Sequence, residues 1–250
     1  MSGHSHWAKI KRYKGATDAR RSRIWSKLAR KIIVAAKHGG GKPEDNLSLR
    51  YAIEEARSEN MPNDTIDKAV KKGTGELGAI NYETIVYEGY GPGGVAFMVE
   101  CLTDNRARTA PELRKVFERS GGQLGGTNCV AWMFEQKGTF LVSADKADED
   151  TLMELALDAG ADDVKKDGDT FEILCQVSAF AAVKQALADK KIETMSAQIG
   201  MVPKTTVQVG ADKASQVMNL MEALEDHEDV QNTYANFDMP EELMTAEGNK

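Results

Sequence analysis

The sequence predicts an α+β protein of three domains: an N-terminal three-helix domain, a discontinuous α/β domain, and a ferredoxin-like βαββαβ domain inserted in it. Three observations lead there. The 250 residues exceed a common domain of roughly 100 to 150. The apolar pattern is helical as far as residue 72 and then alternates strands with helices. One complete β-α-β-β-α-β run occupies residues 138 to 199, and a helix and a strand without local partners follow it. The expected boundaries are 1–77 for a basic arm and helical domain, 78–136 plus 203–250 for the discontinuous domain, and 137–202 for an acidic insert.

Residues 1 to 16 show no clear period and contain Gly3 and Gly15, so they read as an extended, mobile arm. Thr17 or Asp18 caps a helix running to about His38, where Gly39, Gly40 and Gly41 stop it. Ile24, Leu28, Ile32 and Ala35 give that helix one apolar face, and Arg20, Arg23, Lys27, Arg30 and Lys37 lie largely off it. Asp45 or Asn46 opens a second helix with Leu49, Ile53 and Ala56 inward, and Pro62-Asn63-Asp64 opens a third with Ile66 and Val70. The glycines of KKGTGELGA mark a linker.

YETIVYE and VAFMVECL, joined by GYGPGG, read as a hairpin. A helix capped near Asp104 or Asn105 carries Leu113, Val116 and Phe117; SGGQLGG ends it and CVAWMFE reads as another strand. The insert then runs TFLVSA strand, DEDTLMELALDAG helix, DDVKK strand, Asp167-Gly168 turn, TFEILC strand, SAFAAVKQALADKK helix, IETMSAQI strand. A helix over 210–226 and a strand over 229–237 remain. A strand is not stable alone, so it is expected to return to the 79–136 segment.

Composition narrows the class. With 41% hydrophobic and 28% charged residues the chain reads as soluble and globular. No apolar run approaches the roughly 18 residues of a membrane helix. Cys101, Cys129 and Cys175 are far apart without C-x-x-C pairing, which predicts free thiols in a reducing compartment. The N-terminus lacks the apolar stretch of a secretory signal, and a cytoplasmic monomer is expected.

The glycine motifs do not carry cofactor chemistry. Gly89, Gly91 and Gly94 satisfy G-x-G-x-x-G, but a strand follows where a dinucleotide site opens a helix. SGGQLGG follows a helix and no Lys-Ser or Lys-Thr comes after it; its glycines suit positive φ or close backbone approach. His4 and His6 lack a third clustered ligand, so no metal is expected. No nucleophile-base arrangement is visible, and the carboxylates read as solvated faces. Neither a cofactor nor an enzymatic activity is expected.

Charge points elsewhere. The net charge is -7, yet the first 42 residues hold twelve Lys or Arg against one acid, Asp18. Solvated helix faces usually mix signs through i,i+4 pairs, and this stripe does not. A polyanion explains the excess, because each phosphate that a base neutralises releases counterions. The candidate contacts are Lys9, Lys11, Arg12, Lys14, Arg20, Arg21, Arg23, Lys27, Arg30 and Lys31, with Trp7 and Tyr13 able to stack on unpaired bases. Trp25, beside the apolar face, reads as core. Arg106 and Arg108, at a helix entrance, are secondary phosphate contacts. Two targets stay open on these residues, duplex DNA and ribosomal RNA, the latter with the ribosome as partner.

GHSHWAKIKRYKGATDARRSRIWSKLARKI, TDNRARTAPELRKVFERSGGQLG and VAWMFEQKG resemble the YebC/PmpR family over essentially the whole chain. The resemblance implies three domains and a cytoplasmic, non-enzymatic regulator of gene expression. In bacteria it implies a DNA-binding transcriptional regulator, whereas the related mitochondrial activator of cytochrome oxidase acts in translation. It also implies that the basic arm, the first helix and the TDNRAR stretch form the contact surface.

Overall fold

In the computed structural model, which describes residues 18–78 and 81–240, the N-terminal domain consists of α1 (Asp18–Gly39), α2 (Leu47–Ser58) and α3 (Asn63–Gly73). Asn46 makes the first corner. Its side-chain oxygen accepts from the Leu49 N–H at 3.1 Å, capping α2, while its amide donates to the carbonyls of Ala35 and Gly40 at 2.8 Å each. One side chain thus starts α2 and satisfies carbonyls at the end of α1. Leu28, Ile32, Ile33 and Ala36 recur at helical spacing and close a core with Leu49, Ile53, Ala56, Ile66 and Ala69. Burying each large aliphatic side chain there stabilises by about 1.5–3 kcal/mol. Trp25 packs on this core and donates its indole N–H to the Glu59 carbonyl at 3.0 Å.

Next come β1 (Glu83–Tyr90), β2 (Ala96–Thr103), α4 (Arg106–Arg119) and the two-residue β3 (Gln123–Leu124). β1 and β2 form an antiparallel hairpin around the turn at Pro92–Gly94, where Gly93 and Gly94 have φ of 73° and 77°. The G-x-G-x-x-G stretch therefore leads into a strand and makes a turn. Asn105 caps α4, its side chain accepting from the Arg108 N–H at 3.2 Å.

The insert consists of β4 (Phe134–Ser143), α5 (Glu149–Asp158), β5 (Ala161–Asp167), β6 (Thr170–Cys175), α6 (Phe180–Asp189) and β7 (Thr194–Pro203). Its antiparallel sheet has the order β5-β6-β4-β7, the ferredoxin-like arrangement. Phe140, Val142, Phe171 and Ile173 of the sheet meet Leu152 of α5 with Val183 and Leu187 of α6. The chain then returns through β8 (Val207–Gln208), α7 (Ala211–Asp226), β9 (Val230–Ala235) and β10 (Phe237–Asp238). β9 pairs antiparallel with β2, giving a second sheet of order β3-β1-β2-β9, and β8 pairs with β10. α4 and α7 supply Leu113, Phe117, Val217, Leu220 and Leu224 to the face of that sheet bearing Phe97 and Val99. The molecule is thus α+β, with the three-helix domain, the discontinuous α/β domain and the inserted domain.

Two details differ from the expectation. CVAWMFE is not a separate strand: Ala131–Met133 form a 3-10 turn, and β4 runs from Phe134 directly into the insert. The cause lies in Glu88, whose buried carboxylate accepts from the N–H groups of Asn128, Val130 and Ala131 at 2.7, 2.8 and 2.8 Å. Amides spent on a carboxylate cannot join a ladder. The edge of the central sheet comes instead from Gln123–Leu124, inside the stretch read as a helix stop. Gly121 there has φ of 78°, and a Cβ on Gly122 would stand 2.6 Å from the Tyr90 carbonyl oxygen. The thiols of Cys101 and Cys175 are buried and Cys129 is half-buried, all three free; burial pushes Cys101 up to about 12.

Candidate nucleic-acid interface

Trp7, Lys9, Lys11, Arg12, Tyr13 and Lys14 lie outside the described residues, as do His4 and His6. Arg20 falls in the first turn of α1, and Arg21 beside it is exposed. Arg23, Lys27 and Arg30 follow at spacings of four and three and therefore share one helix face. That face is turned toward the central domain.

There it meets the end of α7 and the segment leading into β9. Arg23 pairs with Asp226 at 3.2 Å. Lys27 donates to the Glu225 carbonyl, in the last turn of α7, where the helix dipole is negative. Arg30 donates to the Glu228 carbonyl, and its Nη2 lies 3.2 Å from the Glu228 carboxylate and 3.4 Å from that of Asp229. Lys31 turns the other way and pairs with Glu55 of α2 at 2.9 Å. Lys37 donates to the Asn81 side chain. The expectation that this stripe lacks acidic partners is therefore corrected for Arg23, Arg30 and Lys31. The partners of Arg30 stand 198 residues away or more, beyond the reach of any i,i+4 reading.

Asp229 is the centre of this contact. Its carboxylate is almost completely buried and accepts from the Thr109 hydroxyl at 2.7 Å, the Thr103 hydroxyl at 3.2 Å and Arg108 Nη2 at 2.8 and 3.1 Å. Burial alone would raise its pKa, but the Thr109 hydroxyl and the Arg108 guanidinium outweigh that and hold it below the usual carboxylate range. Arg108 also faces Asp104 at 3.4 Å and Glu112 at 3.9 Å, so a phosphate there would have to compete with three acids. Arg106 is exposed and makes no ion pair among the described residues.

Sequence reasoning missed Asp226, Glu228 and Asp229 as partners. They sit in DHED at the end of a helix and read as solvated acid. The one available signal was charge complementarity between remote segments. Between α1, α2 and the strands β1, β2 and β9 lies a cleft of about 680 Å³, whose charged lining mixes Lys31 with Glu55 and Glu100. No group of three His, Cys, Asp or Glu that could hold a metal occurs among the described residues. No helix among them is long and apolar enough to cross a membrane.

Residues 5–76 match the model for the TACO1/YebC protein N-terminal domain, and residues 82–237 match that for the TACO1/YebC second and third domain. A protein of Dictyoglomus turgidum named "Probable transcriptional regulatory protein" is 51% identical over 98% of this chain and 98% of its own length. One of the same name from Pelotomaculum thermopropionicum is 52% identical over 96% of this chain and 99% of its own. Among solved structures, a conserved hypothetical protein from Aquifex aeolicus matches with a TM-score of 0.79 and 44% identity, covering 89% of this chain and 92% of that one.

Proposed function

The chain belongs to the TACO1/YebC family, and from that premise we propose that it is a non-enzymatic regulator of gene expression that binds DNA through its N-terminal basic segment. The observation that carries this reading is the twelve bases against Asp18 in the first 42 residues. The name of its relatives, "Probable transcriptional regulatory protein", agrees with it.

Binding of this kind is dominated by phosphate neutralisation and counterion release. Lys9, Lys11, Arg12, Lys14, Arg20 and Arg21 form the part of the segment that precedes the row facing the central domain. The first 42 residues contain no Asn or Gln, the side chains that pair bidentately with adenine. The affinity is therefore expected to depend weakly on sequence and steeply on salt. Six phosphate contacts correspond to a slope of log K against log salt of about -5.

A titration of the full chain against duplexes of differing sequence, repeated across salt, tests this. Replacing Lys9, Lys11, Arg12 and Arg20 by Glu should abolish binding without unfolding the protein. Binding that survives the replacement, or a sharp preference for one duplex, contradicts the reading. Comigration with ribosomes at low salt, without duplex binding, would move the target from DNA to ribosomal RNA.

A further inference from the structure

We propose that the acidic end of α7 and the start of β9 act as an internal polyanion mimic: Asp226, Glu228 and Asp229 cover the basic row of α1, and nucleic acid competes with them for Arg23, Lys27 and Arg30. This rests on the nucleic-acid reading above and adds its regulation. Closed, the protein holds Arg23, Lys27 and Arg30 against the end of α7 and the start of β9; opened, it frees them for phosphate.

Four observations support a contact built to release. First, the contacts of the row are polar: Arg23 pairs with Asp226, Lys27 donates to the Glu225 carbonyl, and Arg30 reaches the carboxylates of Glu228 and Asp229. Second, its outer pairs face solvent. The side chains of Arg23, Asp226 and Glu228 are 40%, 49% and 73% exposed, and exposed ion pairs are weak and salt-screened. Third, opening strands no buried charge on the acidic side. When Arg30 leaves, Asp229 keeps Arg108 and the hydroxyls of Thr103 and Thr109. Fourth, the closed form leaves Arg23 under-satisfied, because its Nε is buried without a hydrogen-bond partner. A phosphate has acceptor oxygens for the N–H groups that a single carboxylate contact leaves over. The neighbouring cleft of about 680 Å³ shows that the two domains are not packed tightly beside the contact.

Domain contacts of this polar kind permit relative motion. The closed fraction then lowers the apparent affinity by the fraction of molecules that are open. Breaking the contact removes that reduction.

The test compares two full-length variants with the same change in net charge. Asp226→Asn with Glu228→Gln weakens the contact; Asp158→Asn with Asp169→Asn alters exposed acids of the insert. Circular dichroism checks that both fold, and each is titrated with a fluorescein-labelled 20-base-pair duplex at fixed salt. The first variant is expected to bind about three- to tenfold more tightly than wild type, by the open-fraction arithmetic. The second should stay close to wild type, and small-angle scattering should show expansion of the free protein only in the first. Equal binding by the two variants, with wild type also binding, overturns the masking and leaves the nucleic-acid reading intact. Absence of binding by all three proteins overturns the reading and the masking together.

Discussion

Glu88 in β1 and Asp229 beside β9 are both buried carboxylates of the central domain, and they are satisfied by opposite kinds of partner. Glu88 takes three backbone N–H groups from one loop, residues 128 to 131. Asp229 takes side chains: Thr103, Thr109 and Arg108 from its own domain and Arg30 from the helical domain. The first fixes a local path, and the second joins domains. Backbone amides are supplied by any residue except proline, so the hydrogen bonds to Glu88 do not themselves depend on which side chains the loop carries. The Asp229 contact depends on the identity of each partner and can be rearranged by a competing anion.

The contrast can be broken first at Glu88. Glu88→Ala leaves three amides without their acceptor and is expected to destabilise the fold by about 3 kcal/mol, read as a lowered urea midpoint. Retention of the wild-type midpoint would mean that water replaces the carboxylate at no cost. Asp229→Asn should cost less, about 2 kcal/mol, because the amide oxygen still accepts while its NH2 faces donors.

The same residue sharpens the contrast with pH. A carboxyl held below its ordinary range in the fold contributes stability above the unfolded pKa, and that contribution is lost as pH falls through the folded one. The gap in urea midpoint between Asp229→Asn and wild type should therefore narrow below about pH 4. A gap that stays constant in acid would show that the charge of Asp229 is not what stabilises.

Smaller effects follow along α1. Arg30→Met keeps most of the aliphatic stem and removes the inter-domain charge; about 1 kcal/mol is expected, with faster amide exchange around Glu228 as the specific sign. Unchanged exchange there would separate Arg30 from the inter-domain contact. Lys31→Ala breaks only the partly exposed pair with Glu55, and about 0.5 kcal/mol is expected. A loss comparable with Arg30→Met would erase the distinction between a pair within one domain and a pair between two.

Much of the fold was legible because it is written in local signals. Asn46 and Asn105 each accept a hydrogen bond from the amide three residues on, as capping residues do. The alternation of strands and helices from Thr139 to Ile199 announced the inserted sheet, and β9 pairs with β2 as a strand without a local partner must. Trp25 reads as core from its place beside Leu28, and it packs there. The continuous β4 was not legible, since a side-chain carboxylate 40 residues away takes the amides before it. Nor was β3, whose two residues are too few to show a period. For the candidate site, the concentration of bases was plain in the chain, but the acids opposite Arg23 and Arg30 were not.

The order of residues alone determined the helices, most strands, their caps and the separation of a basic front from an acidic remainder, because propensity, capping and periodicity act within a few residues. The tertiary structure decided which charges meet. Coulomb attraction depends on distance in space, and folding brings Arg30 beside Glu228 and Asp229 across almost the whole chain. A stripe that looks uncompensated along the sequence is, in three dimensions, partly covered by acid.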